Sequence, residues 1–426
     1  MVPQLWQVLD DPAVRRNVTA ILGDNYFVHV HRHPHISHGQ PGKKTPAMLQ
    51  PFHKDGHAVK PRPRHREPWW LIMFYYPQEV TLDNGPTGLL PGTHLLPKLG
   101  GKEDWHHPPK LTKKDGQLQL TDGYIQPNVH PMTCTAGSVA LAHFDIGHGA
   151  MTNGTEQNRF ACKFVFMRTE RPPSCGMGAL QTDDPISRHL GQWLGYDTPA
   201  NDVIAFNDWQ FAFNGHPRAR VEAIYLSAAV DDQDKVRDTL LDDIKRHLPG
   251  KNSDWILEIA DASNGLALLD DLDPIHDLLQ SNNDGCLING CFAAGQAGSQ
   301  AFGDRLTHLV RNKNPFVQRH AMSALGLLGT GAHQSQTIQA LDEIIKTSDE
   351  WDLKVYAIQT LIRQGAIKET IPSLAYAAQD PHTYVNAFAI EQLGRIDDDE
   401  ARRAALEPLR RHRWMEDPRY DQGKSL

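Results

Sequence analysis

Four segments in the second half of this 426-residue chain repeat one another, and that repetition rules out a single compact core. CLINGCFAAGQAG (286–298) aligns with VQRHAMSALGLLG (317–329), LKVYAIQTLIRQG (353–365) and VNAFAIEQLGRI (385–396), at successive spacings of 31, 36 and 32. Each copy carries a small residue at one position (Gly290, Ala321, Ala357, Ala389) and an aliphatic one four residues on (Ala294, Leu325, Leu361, Leu393). Four residues is about one helical turn, so both positions lie on one helix face. Small residues let neighbouring helices approach and larger ones fill the seam. Such units bury their apolar faces only by stacking. From about residue 231 the chain therefore predicts a helical solenoid over 231–412, with a polar tail over 413–426.

Residues 1–230 carry a different period. NYFVHVHRH (25–33) alternates, sending Tyr26, Val28 and Val30 one way and Phe27, His29 and His31 the other. WWLIMFYYP (69–77) is apolar throughout, as a strand buried on both faces would be, and Pro77 stops it. GSVALAHF and FACKFVFM read as two further strands, separated by turn-rich stretches such as LDNGPTG and LLPGTHLLP. Strands without intervening helical repeats favour an antiparallel jelly-roll (double-stranded β-helix, cupin-like) barrel over a parallel α/β sheet. The fold class expected is a multidomain chain with this barrel first and the helical solenoid second.

The chemistry of the first half centres on His53, Lys54 and Asp55. In an H-x-D triplet on a strand, period two sends His53 and Asp55 to the same face. With His148 from a distant strand they make a set of two imidazoles and one carboxylate. That set can hold a ferrous ion on one face and leave positions open for a co-substrate and oxygen. Arg159, eleven residues beyond His148, can clamp a carboxylate beside the metal. His143 is a candidate fourth ligand, set against a core or supporting role that suits it better, and Asn153 is placed to orient the following loop. The loop GHAVKPRPRHREP (56–68), rich in proline and cations, reads as an entry rim or as a plain exposed loop.

Taken together, HKDGH (53–57), DNGPTGLLPGTH (83–94), GSVALAHFDIGHGAMTN (137–153) and Arg159 resemble the phytanoyl-CoA dioxygenase family of iron(II)- and 2-oxoglutarate-dependent oxygenases. The resemblance covers about residues 20–168. It implies that His53, Asp55 and His148 bind Fe(II) and that Arg159 binds the distal carboxylate of 2-oxoglutarate. It also implies that O2 is consumed, with hydroxylation of an unactivated C–H bond and release of succinate and CO2. Related halogenases carry a small residue at the place of Asp55, so its presence favours hydroxylation. The second half resembles HEAT-type repeats over 267–400. Two other readings stay open: a metal hydrolase or isomerase using the same triad, and a non-enzymatic scaffold built on the repeats.

Charge and cysteine usage bound the partners. The net charge of −8 argues against general nucleic-acid binding. From Lys43 to Lys114 there are 12 Lys/Arg against 6 Asp/Glu, whereas 231–280 carries 13 acids against 5 bases. The first stretch therefore suits an anionic or carrier-bound small-molecule substrate, or is balanced by the acidic second part. The repeats suit a protein partner or packing within the chain. No run of about 18 apolar residues is present, so no membrane span is expected. The opening MVPQLWQVLDDPAVRR lacks a secretory pattern. Five cysteines without a C-x-x-C read as reduced thiols of a cytoplasmic protein.

Overall fold

A computed structural model describes residues 5–56, 64–96, 98–101, 106–121, 123–247, 254–270, 272–365 and 368–412. The expected polar tail (413–426) and residues 57–63 of the expected entry rim lie outside the described residues. Contacts divide the chain into two compact units, Met1–Ala297 and Gly298–Leu426.

The first unit opens with helices α1 (Trp6–Asp10) and α2 (Pro12–Leu22). Asp11 caps α2 by accepting from the backbone N–H groups of Ala13 and Val14, and Pro12 occupies the first turn, where its missing N–H costs nothing. Among the described residues nine strands follow: β1 (Phe27–Ser37), β2 (Trp70–Tyr76), β3 (Thr87–Leu90), β4 (Leu111–Lys114), β5 (Gln117–Leu120), β6 (Asn128–Pro131), β7 (Ser138–His143), β8 (Gly147–Ala150) and β9 (Arg159–Met167). They make a four-stranded sheet, ordered β1-β9-β2-β7, and a five-stranded sheet, ordered β4-β5-β6-β3-β8. Every strand pairing is antiparallel.

This arrangement corrects the expected barrel. The unit is a mixed α/β domain with two antiparallel sheets, and neither sheet closes on itself. Strand β7 ends one sheet and β8 ends the other, joined by the short turn Phe144–Ile146 rather than by a continuous ladder. Strand alternation in a sequence specifies which face is buried. It does not specify whether the two edge strands of a sheet pair with each other, and among the described residues neither β1 with β7 nor β4 with β8 does.

Central strand β2 is buried on both faces, as its apolar run requires. Leu71 and Met73 join Phe164 and Phe166 of β9 against Val18 and Leu22 of α2. A helix of 11 residues is marginal alone, and burial at about 1.5–3 kcal/mol per large side chain holds it in place. The opposite face of β2 meets the second sheet: Tyr76 Oη donates to Thr87 Oγ1 at 3.0 Å, and Phe74 lies 5.9 Å from the His148 ring. Strand β1 runs on through Pro34, which pairs with Cys162. An edge strand tolerates this because its outer side has no ladder to lose.

Among the described residues this unit continues with seven helices: α3 (Pro185–Trp193), α4 (Phe206–Phe213), α5 (Pro217–Leu226), α6 (Gln233–His247), α7 (Asp254–Leu268), α8 (Asp273–Gln280) and α9 (Asp284–Ala297). Trp209, Phe213, Ile224, Val236, Leu240 and Leu266 form their shared core. In α9, a Cβ at Gly290 would stand 3.0 Å from Leu278 of α8, so this repeat position needs its small residue.

The second unit contains α10 (Gly303–Leu309), α11 (Pro315–Leu328), α12 (Gln334–Thr347), α13 (Trp351–Arg363), α14 (Ile371–Ala377), α15 (Thr383–Leu393) and α16 (Asp399–His412). Odd-numbered α11, α13 and α15 pack in one row, and even-numbered α10, α12, α14 and α16 in another. Ala321, Ala357, Ala389, Leu325, Leu361 and Leu393 are all fully buried, as the repeat pattern required. Polar ties recur at the repeat period: Thr307 to Thr337 (30 apart), Ser373 to Asp342 (31 apart) and Arg319 to Glu350 (31 apart). Arg319 is 1% exposed and also donates to buried Asp352. Removing one member of a buried ion pair leaves the other uncompensated. Asp352→Ala is therefore expected to destabilise this unit by about 3–5 kcal/mol, measured as an earlier transition in denaturant unfolding of the full chain.

Candidate metal centre

His53 and His148 are brought together by backbone pairing. Each donates its N–H to the other's carbonyl at 3.0 Å, an antiparallel hydrogen-bonded pair. Directly opposed residues project to one face, and their ring centroids lie 4.6 Å apart. Asp55, two residues along, shares that face. One ligand atom from each of His53, Asp55 and His148 lies within 4.8 Å of the others, the only such group of His, Cys, Asp or Glu among the described residues.

Each of these side chains is locally held. His148 sits on β8, with Leu89 of β3 as its register partner. The preceding Gly147 donates to Thr93 Oγ1 at 2.8 Å, and Thr93 Oγ1 donates in turn to Leu90 O at 2.6 Å. A Cβ at Gly147 would meet the Leu99 side chain at 2.8 Å, so a larger residue there would require Leu99 to shift. The ring nitrogens are set as well. Nδ1 of His148 donates to Ile146 O at 3.1 Å and Nδ1 of His53 to Pro51 O at 3.3 Å. Each bond leaves the lone pair on Nε2, the form a metal ligand needs. Nε2 of His148 is buried without a hydrogen-bond partner. An orphaned, buried imidazole nitrogen facing a carboxylate is what a divalent cation would satisfy, so these residues fit Fe(II).

The charges agree. Burial lowers His148 to about 4, against the attraction of Asp55, so the imidazole is neutral near pH 7. Burial acts to raise the Asp55 pKa, but attraction from His148, Lys163 and His53 outweighs it and holds the carboxyl well below its usual range. Lys163, on β9, was not anticipated. Its Nζ bonds Asp55 Oδ2 at 2.7 Å. Its signal was a cation inside an otherwise apolar stretch of β9, four residues from Arg159 and hence on the same face.

Arg159 begins β9 and is 3% exposed. Its guanidinium lies 5.7 Å from the Tyr76 ring and donates to Gly85 O. Gly85 has φ +79°, and a Cβ there would stand 2.5 Å from Ser37 Oγ. Asn153 pins the loop before Arg159, donating to Ser37 O and Gln157 O and accepting from the N–H and hydroxyl of Thr155. His143 stays outside the triad: it stacks on His94 at 4.8 Å, and its Nδ1 accepts from Asp145 N–H.

Residues 2–161 match the family model of phytanoyl-CoA dioxygenase, and residues 338–423 match that of HEAT repeats. The chain joins a phytanoyl-CoA-dioxygenase-like domain to HEAT-like repeats. The triad of that domain is of the two-histidine, one-carboxylate kind that serves Fe(II), 2-oxoglutarate and O2 chemistry. No curated protein matches the chain in sequence. Among solved structures, it is similar to the non-haem α-ketoglutarate-dependent epimerase SnoN from nogalamycin biosynthesis (17% identity, 39% of this chain and 56% of that one, TM-score 0.28). It is also similar to EctD from S. alaskensis with 2-oxoglutarate and 5-hydroxyectoine (19% identity, 39% and 53%, TM-score 0.27). A third is the non-haem monooxygenase ThoJ in its nickel complex (18% identity, 45% and 63%, TM-score 0.25). The chain thus spans less than two thirds of each.

Segment 64–67, close to the triad of the dioxygenase-like domain, is clasped from both sides. Arg64 donates to Asp55 O at 3.0 Å and to Asp145 Oδ1 at 2.6 Å. His65 stacks on Phe292 at 5.4 Å and bonds Gln296 Oε1 at 2.9 Å. Arg66 pairs with Asp261, and Glu67 accepts from Gln296 and lies 3.1 Å from His189 Nε2. Part of the basic surplus of the first half is thus neutralised inside the unit, with Asp261 of the acidic stretch as one partner. Among the described residues, no helix is long and apolar enough to cross a membrane.

Burial acts to raise the Glu67 pKa, but the hydrogen bond and charge of His189 outweigh it and lower the group from its ordinary 4.5 to about 2. A depressed carboxyl pKa contributes stability that is full above the unfolded value and is lost as pH falls through the folded one. Glu67→Gln is therefore expected to be less stable than wild type at pH 7. The gap should narrow as pH drops from about 4.5 towards about 2, followed by thermal melts across that range. A gap independent of pH would contradict the assignment.

Proposed function

We propose that this protein is a non-haem iron(II)- and 2-oxoglutarate-dependent dioxygenase. In this reading it hydroxylates an unactivated C–H bond of a small molecule, releasing succinate and CO2. The observation that carries this reading is the convergence of His53, Asp55 and His148 on one face, with the buried Nε2 of His148 lacking any other partner. These three residues would hold Fe(II), which when bound supplies the redox chemistry that couples oxidation of 2-oxoglutarate to oxidation of the substrate.

The chain's own groups position and select. Arg159 presents a planar fork to the distal carboxylate of 2-oxoglutarate. Its burial strengthens that pairing, because little water competes for it. Tyr76 and Phe74 supply an apolar wall beside Arg159 and His148. Asp55 fills the carboxylate position, which favours hydroxylation over halogen transfer; desaturation, cyclisation or epoxidation would use the same ligands. An anionic or carrier-bound substrate would suit the basic flank of the H-x-D segment. We further take 1–230 as the oxygenase domain and 231–412 as the repeat region, open to a protein partner. None of the five cysteines forms a disulfide, in keeping with a cytoplasmic protein.

Incubation with Fe(II), ascorbate, O2 and 2-oxoglutarate is expected to release succinate slowly even without substrate. Asp55→Ala and His148→Ala should abolish that release. Losing the buried charge pair should cost about 2–5 kcal/mol, so Arg159→Ala should raise the KM for 2-oxoglutarate by about 30-fold or more. Succinate release untouched by all three substitutions would overturn the proposal. Iron-independent hydrolysis or isomerisation that requires the triad would favour a metal hydrolase or isomerase instead.

A further inference from the structure

Strand β9 reads RFACKFVFM, and Lys163 is the one cation in its interior. The residue is 6% exposed and its Nζ lies 2.7 Å from Asp55 Oδ2. The other carboxylate oxygen, Oδ1, faces the triad, 3.8 Å from His53 Nε2 and 3.6 Å from His148 Nε2. The two oxygens of one carboxylate are therefore assigned to different tasks, one towards the imidazoles and one towards the ammonium. Ion pairs at this distance fix direction as well as charge, and nothing in the apolar surroundings of β9 requires a lysine there.

We propose that Lys163 is a positioning residue that holds Asp55 to single-oxygen ligation and keeps its second oxygen away from the metal. The inference rests on the metal reading given above. It has two consequences of opposite sign. A free Oδ2 would turn inward and occupy a further coordination position, one that a chelating 2-oxo acid needs. The ammonium also repels a divalent cation sharing the same carboxylate, so its presence weakens metal binding while favouring an anionic co-ligand. A lysine that merely fills space in the strand would move neither quantity, or would weaken both.

The test is titration of wild type, Lys163→Met, Lys163→Gln and Lys163→Arg with Co(II), followed by 2-oxoglutarate under anaerobic conditions. Visible absorption reports coordination, and far-UV circular dichroism confirms folding. With the repelling ammonium gone, Lys163→Met should bind Co(II) more tightly by about tenfold, with an altered spectrum, and should bind 2-oxoglutarate more weakly once metal-loaded. Lys163→Gln keeps a donor without the charge and should fall between, even if the methionine variant folds poorly. Lys163→Arg should restore both affinities and the wild-type spectrum. If wild type binds Co(II) through His53 and the variants share its affinities and spectrum, the role of Lys163 is overturned while the metal site stands. If Co(II) binding by wild type survives His53→Ala unchanged, the metal reading itself fails and the inference with it.

Discussion

Two backbone hydrogen bonds between His53 and His148 carry the rest of the site. They bring segments 95 residues apart into direct opposition, each N–H on the other's carbonyl at 3.0 Å. Everything else follows from strand geometry. Opposed residues share a face, and Asp55 joins them because side chains repeat with period two. Slipping that pairing by one residue would send both ligands of the H-x-D triplet away from His148. Beside the pair, Gly147 lets β8 pack closely on Leu99 and Thr93, and a larger residue there would require the Leu99 side chain to shift.

The local half of this architecture could be read from the chain. Same-face projection of His53 and Asp55, the double burial of β2, and the small-residue rhythm of Ala321, Ala357 and Ala389 are all consequences of fixed helical and strand periods. What escaped reading depends on partners distant in sequence. Whether two sheets close is a matter of edge pairing that alternation does not encode, so the expected barrel became two open sheets. Helices α3–α5 fall in a stretch whose period is interrupted by glycine and proline. The clasp on segment 64–67 uses Gln296, 229 and 231 residues from its partners, and no local pattern announces it. Lys163 was visible as an oddity in β9, but its meaning required knowing that Asp55 lay opposite.

Charge follows the same division between local composition and distant pairing. The surplus of bases in the first half reads in isolation as an attractor for anions. Within the first unit, Arg64 and Arg66 are already committed to Asp145 and Asp261, and Arg220 spans Asp243 and Asp261. Acid and base stretches that look separate in sequence thus meet inside one compact unit. Arg159 is different in kind: it is buried, its partners are a carbonyl and an aromatic face, and no carboxylate opposes it in a salt bridge among the described residues. That contrast makes it the cation best suited to an incoming carboxylate.

We propose that one face of this domain binds iron and 2-oxoglutarate together. Anaerobic titration of the purified protein with Fe(II) and then 2-oxoglutarate tests it most directly, through the weak visible charge-transfer band that a 2-oxo acid chelated to ferrous iron produces. That band is expected in wild type, with its loss in Asp55→Ala and its marked weakening at fixed 2-oxoglutarate in Arg159→Ala. A folded, iron-loaded wild type that shows no band on addition of 2-oxoglutarate would contradict it.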